Sequence, residues 1–244
     1  MNISIIQART GASRLPGKVM LNIGTKPILR WVIERTKRSS LIDKVIVATT
    51  DKTQDDIIES LCKRLKVGCF RGSEDDVLDR YYKAGKKYKA DTIVRITSDC
   101  PFVDPEIIDD ITRIHFSHKN DCTMNDTDTS YPRGLDVEIF NFRTLEKVYL
   151  NAKRDYEREH VSPYIYEHLD IFKVERIKAV GILRRPGYRF CIDTKDDLKL
   201  VRKIYSMLKR SKKSITAHNI IGLLDFHPEL VALNAHIRQK KLGE

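Results

Sequence analysis

Short apolar runs alternate with amphipathic stretches over the first half of the chain. Residues 3–6 (ISII), 44–50 (KVIVATT), 91–97 (DTIVRIT) and 121–125 (DCTMN) have the length and β-branched content of strands. Between them, 27–38, 53–66, 76–88 and 105–118 repeat apolar residues at i, i+3 and i+4, the spacing of helices with one buried face. Pro27 and Pro105 stand where a first-turn proline is tolerated, because its missing N–H has no partner there anyway. Such alternation predicts an α/β fold, a mainly parallel twisted sheet flanked by helices.

The rhythm breaks after residue 125. Residues 126–140 (DTDTSYPRGLDVEIF) read as a polar turn followed by an alternating strand, with helices near 142–152 and 156–168. Strand character resumes at 188–193 (YRFCID), followed by a helix over 195–208 and a helical tail. No repeat, low-complexity tract or Gly/Ser linker divides the chain. One domain over 1–244 is therefore expected, with 126–175 as an inserted arm or dimerisation excursion.

At 244 residues and 41% hydrophobic content, the chain is long enough for one sizeable core. Lys and Arg number 45 against 34 Asp and Glu, a net charge of +11 that suits an anionic partner such as a nucleoside phosphate, an acidic sugar, nucleic acid or a membrane surface. The basic clusters at 208–214 and 238–241 lack interleaved aromatics and read as solubilising faces, and no RNP-like or recognition-helix motif points to nucleic acid. Five scattered cysteines without a C-x-x-C pair indicate neither a disulfide framework nor a zinc site. With no signal-peptide pattern and no apolar run near the roughly 20 residues of a membrane span, a cytoplasmic protein without membrane insertion is expected.

The chemistry concentrates in ARTGASRLPGKVML, residues 8–21, directly behind the first strand. A triphosphate needs backbone N–H groups that approach closely and cations that neutralise charge. This loop supplies Gly11, Ser13 and Gly17 among Arg9, Arg14 and Lys18, at the strand end where open α/β sheets bind ligands. It is neither a dinucleotide fingerprint, lacking G-x-G-x-x-G, nor a P-loop, being one residue too long with Val19 in place of the hydroxyl. The competing reading is a surface turn built by Pro16-Gly17.

Together with RTGASRLPGK, the segments VIVATT, RGSEDDVLDRYYKA, RITSDCPFVDP, YPRGLDVEIF, REHVSPYIYEH and IDTKDDL resemble the cytidylyltransferases that activate acidic sugars. Within that CMP-sialic acid and CMP-KDO synthetase group, the branch most similar is that of SpsF-type spore-coat polysaccharide proteins. The resemblance implies a glycosyltransferase-A type nucleotide-diphospho-sugar transferase fold. It also implies CTP and an acidic 2-keto sugar as substrates, Mg²⁺ as cofactor and a homodimer. By motif, Ala8, Arg9, Gly11, Ser13, Arg14 and Lys18 would hold the nucleotide, with Arg71, Gly72 and Asp76 close to it. Arg14, Lys18 and Asp99 would be catalytic, and Asp99 and Asp193 the metal ligands. Tyr131, Arg133, Asp136, Glu138, Arg158 and His160 would form the acceptor pocket, the arginines facing the sugar carboxylate. Asp193 is also a plausible helix-cap residue, and Ser98 departs from the glycine of the SpsF pattern.

Other features have plainer readings. His115 and His118 are expected to be packing or surface histidines, and Trp31, Tyr81 and Tyr82 to be core. Asp126-Thr127-Asp128 matches the D-x-D of metal-dependent glycosyltransferases, the runner-up class, although a polar turn is favoured. A basic nucleic-acid-binding module is the third reading.

Overall fold

The computed structural model describes residues 1–239, so part of the basic cluster at 238–241 lies outside the described residues. The apolar runs become β1 (Asn2–Gln7), β4 (Lys44–Thr50) and β6 (Thr92–Thr97), most of their residues buried. Between the first two lie a small hairpin, β2 (Asn22–Ile23) and β3 (Lys26–Pro27), and α1 (Ile28–Thr36). After β4 come α2 (Asp56–Leu65), β5 (Gly68–Gly72) and α3 (Val77–Lys87). After β6 come α4 (Pro105–His118), β7 (Cys122–Asn125), β8 (Glu138–Asn141), α5 (Phe142–Asn151), α6 (Asp155–His160), α7 (Pro163–Glu167) and β9 (Val174–Ile177). The last helices among the described residues are α8 (Lys195–Arg210), α9 (Ala217–Phe226) and α10 (Pro228–Val231).

Seven strands form one sheet in the order β5-β4-β1-β6-β8-β7-β9. The pairs β5/β4, β4/β1, β1/β6 and β7/β9 are parallel, while β8 runs antiparallel between β6 and β7. Ile5 of β1 sits between Ile46 and Arg95, so β1, β4 and β6 deliver their carboxyl ends to the same edge. Helices cover both faces over two apolar clusters, one built on Ile6, Val47, Val94 and α1, α4, α8 and α9, the other on Ile5, Ile46, Ile93 and α3 and α5.

Two local expectations are corrected. Pro27 precedes α1 as its cap residue, with ψ of 150°, instead of occupying its first turn. Residues 188–193 are extended but make only an isolated bridge, Arg133 to Arg189, because their N–H groups are taken by loops: Phe190 donates to Arg133 and Ile192 to Asp99. The stretch 126–175 contributes β8 to the middle of the sheet and begins β9 at its edge.

Candidate active site

The loop after β1 is shaped by its own backbone and by one buried carboxylate. Gly17 N donates to Thr10 O at 2.8 Å, and Gly17 turns through a left-handed φ of 67° that costs glycine little. Asp55, wholly buried, accepts from Thr10 N at 2.8 Å and Thr10 Oγ1 at 2.7 Å, and also from Thr50 Oγ1 at the end of β4. The loop is thereby tied to the neighbouring strand, and Lys18 emerges at the start of a short helical turn.

Lys18 Nζ lies 2.7 Å from Asp99 Oδ2 and 2.8 Å from Asp193 Oδ1. The two aspartates are far apart in sequence; Asp99 follows β6, and the backbone bond from Ile192 N to Asp99 O at 2.9 Å brings the second segment beside it. Arg14 Nη2 approaches Asp193 Oδ2 at 2.9 Å, and Arg189 grips the same oxygen. Beneath them Asp197, itself fully buried, accepts from Arg189 Nε at 3.0 Å, Asn234 Nδ2 at 2.8 Å and the N–H groups of Asp193 and Thr194. Thr194 is the cap of α8, with Asp197 completing its capping box, so the side chain of Asp193 remains available to the site.

Burial opposes charge on both Lys18 and Asp99, but the ion pairing outweighs it. The carboxylates of Asp99 and Asp193 hold the Lys18 pKa above its ordinary value, and Lys18 with Thr97 holds Asp99 below the usual carboxylate range.

These groups face a cavity of about 890 Å³, within the size range of small-molecule sites. Of the residues named from sequence, Ala8, Arg9, Ser13, Arg14, Lys18, Asp99, His160 and Asp193 border it. Among the described residues no group of three or more His, Cys, Asp or Glu forms a ready metal cluster. The oxygen donors of Asp99 and Asp193, converging on one cationic atom, nevertheless fit Mg²⁺, which commonly takes one or two carboxylates and completes its shell with phosphate oxygens and water.

The other residues named from sequence lie away from this cavity, each with partners of its own. Gly11 does not border the cavity, and a Cβ there would lie 3.1 Å from Glu74 Oε1. Arg71 and Gly72 line a separate cavity of about 410 Å³, and Arg71 is spent on Asp56, Glu59 and the carbonyls of Thr50 and Lys52. Asp76 caps α3 and holds Arg158, and neither borders the cavity. Tyr131 packs in the core, and Arg133 pairs with Asp128 at the surface. Asp136 accepts from Thr127 Oγ1 and Gly134 N, and Glu138 from Arg95 and Ser162. Asp126 folds onto its own turn, accepting from Asp128 N and Thr129 N, so the D-x-D segment builds a loop outside the cavity.

Sequence reasoning missed Gln7, Arg80 and Tyr156 at the cavity wall, and Asp55, Arg189 and Asp197 behind it. The histidines behave as expected: His115 is buried against Thr123 and Asn141, and His118 pairs with Glu175. No described helix is long and apolar enough to cross a membrane.

Comparison with known proteins matches residues 3–218 to a family model described as cytidylyltransferase. The chain is 36% identical to the spore coat polysaccharide biosynthesis protein SpsF of Bacillus subtilis over 230 residues, 92% of this chain and 94% of that one. It is 35% identical to a 3-deoxy-manno-octulosonate cytidylyltransferase of Pelobacter propionicus over 117 residues, 46% of this chain and 44% of that one. Its fold superposes on a cytidylyltransferase from Leptospira borgpetersenii with a TM-score of 0.88 at 32% identity, covering 98% of this chain and 99% of that one.

Proposed function

The chain belongs to the cytidylyltransferase family, and on that premise we propose that it transfers CMP from CTP to a hydroxyl of an acidic 2-keto sugar, releasing pyrophosphate. The observation that carries this reading is the convergence of Lys18 with Asp99 and Asp193, with Arg14 at their side, in one cavity. Attack on the α-phosphate builds negative charge on phosphate oxygens, so the protein's task is to position cations where that charge develops. Arg9, Ser13, Arg14 and Lys18 hold the triphosphate. Lys18 neutralises the α-phosphate as the pyrophosphate departs. Asp99 and Asp193 would hold Mg²⁺, which supplies further charge neutralisation when bound.

Mg²⁺ as the ion, a homodimer as the assembly, a cytoplasmic location and a role in surface or spore-coat polysaccharide formation belong to the same proposal and rest on the family resemblance. The test is incubation with Mg²⁺, each nucleoside triphosphate in turn and a panel of 2-keto sugar acids. Pyrophosphate release with CTP and a CMP-sugar mass are expected. Turnover only with a preformed nucleotide sugar and a separate acceptor overturns the reading.

A further inference from the structure

Gln7 ends β1, borders the cavity and is half-buried. Its amide oxygen is committed: Oε1 accepts from Arg95 Nε at 3.3 Å, and Tyr81 OH, 3.2 Å away, shares its single proton between Oε1 and Ile5 O at 3.1 Å. A guanidinium can only donate, so the atom on that side must be the oxygen and the amide nitrogen is turned away from it. Nε2 has no protein partner among the described residues.

The orientation has a foundation. Arg95 Nη1 donates to Glu138 Oε2 at 3.0 Å, and Ser162 Oγ donates to the same oxygen at 2.7 Å. Glu138 is buried and does not border the cavity. A buried ion pair of this kind contributes little net stability, and fixing one geometry is a recognised use for it. Here the geometry fixed is that of a donor at the cavity floor.

We propose that Gln7 reads an oxygen of the acceptor through its amide N–H, and that Arg95 and Glu138 are positioning residues that hold it in place. This rests on the reaction proposed above. The cations of residues 9–18 face the triphosphate, whereas the support of Gln7 comes from β6, β8 and Ser162, just past α6, whose Tyr156 and His160 form the adjoining cavity wall. An acidic sugar offers carboxylate and hydroxyl oxygens, all of them acceptors. The arginines expected to meet its carboxylate, Arg133 and Arg158, are tied to Asp128 and Asp76.

The test is steady-state pyrophosphate release by the full chain with CTP and the acceptor that the wild type turns over. Gln7→Glu keeps the contact with Arg95 but replaces the donor by a negative acceptor. It is expected to raise the acceptor KM at least about tenfold, with the CTP KM unchanged, since a hydrogen bond to a charged group is worth about that much. Gln7→Leu raises it less, and Glu138→Gln shows the same KM split in weaker form. An unchanged acceptor KM in both Gln7 variants, with wild-type turnover intact, overturns this inference alone. A rise confined to the CTP KM overturns it too, by moving Gln7 to the nucleotide. Failure of the wild type to release pyrophosphate with any acceptor overturns the reaction and this inference together.

Discussion

Lys18 occupies a position with two uses that compete. Its ammonium neutralises Asp99 and Asp193 at 2.7 and 2.8 Å, the same two carboxylates that would hold a divalent ion, so lysine and ion would compete for them. Replacing the lysine by methionine leaves two acidic groups facing each other with only Arg14 and Arg189 beside Asp193. Lys18→Met is therefore expected to bind Mn²⁺ more tightly than the wild type, by about tenfold, while turnover falls by about a hundredfold or more. Free Mn²⁺ followed by electron paramagnetic resonance measures the first effect and pyrophosphate release the second; unchanged Mn²⁺ affinity rules out a metal site on this pair. Lys18, Asp99 and Asp193 were singled out through the family resemblance, since by residue type alone Asp193 also fits a helix cap and Asp99 a turn. Asp55, Arg80 and Arg189 were not, since a charge beside a helix or in an extended stretch looks the same in sequence whether it meets solvent or is buried under the site.

At the scale of elements, the site depends on how α8 begins. Thr194 Oγ1 accepts from Asp197 N, and Asp197 returns bonds to Asp193 N and Thr194 N, so one capping box ends the extended segment and starts the helix. Thr194→Ala removes the cap bond from Asp197 N and the Oγ1 bond to Asp197 Oδ2 and should cost about 1 kcal/mol, seen as a fall of about 2–4 °C in Tm, with activity changed only a few-fold because Arg189 still holds Asp193. Asp197→Ala strips Arg189 of its buried partner and should lower both stability and turnover severely. Differential scanning fluorimetry and pyrophosphate release separate the two variants; equal effects would mean that the box, and not the carboxylate, organises Asp193. The helix over 105–118 was legible from sequence to the residue, since Pro105 marks its first turn and the apolar i, i+3, i+4 spacing runs to its end. Strand β5 was not, because GCFRG carries two glycines and a cation and owes its place to pairing with β4. The extended run 188–193 has strand-like composition, but its partners are loops, which periodicity cannot reveal.

For the whole molecule, the question is what fastens the carboxyl-terminal helices to a sheet they do not extend. Much of the answer is Arg35 on α1, 2% exposed, whose Nε donates to Val103 O and Nη1 to Ile215 O, both at 2.7 Å. Asp104, 3.8 Å from its Nη2, accepts from Ala217 N at 2.6 Å and Glu106 N at 3.1 Å. One buried cation and one carboxylate thus join α1, the start of α4 and the start of α9, and α9 in turn packs against α8, which carries the Asp197 support of Asp193. Burial lowers the Arg35 pKa to about 10, with Asp104 opposing, so the group stays charged at neutral pH. Arg35→Ala leaves two buried carbonyls without these donors and Asp104 without its cation. Breaking a buried pair from one side costs about 3–5 kcal/mol, a large fraction of a typical domain's stability. Urea unfolding followed by circular dichroism should show the midpoint falling accordingly. Because the same tie leads to α8, turnover measured below the transition should fall as well. A loss under about 1 kcal/mol would mean that apolar packing between α8, α9 and α1 holds the carboxyl-terminal helices without this pair.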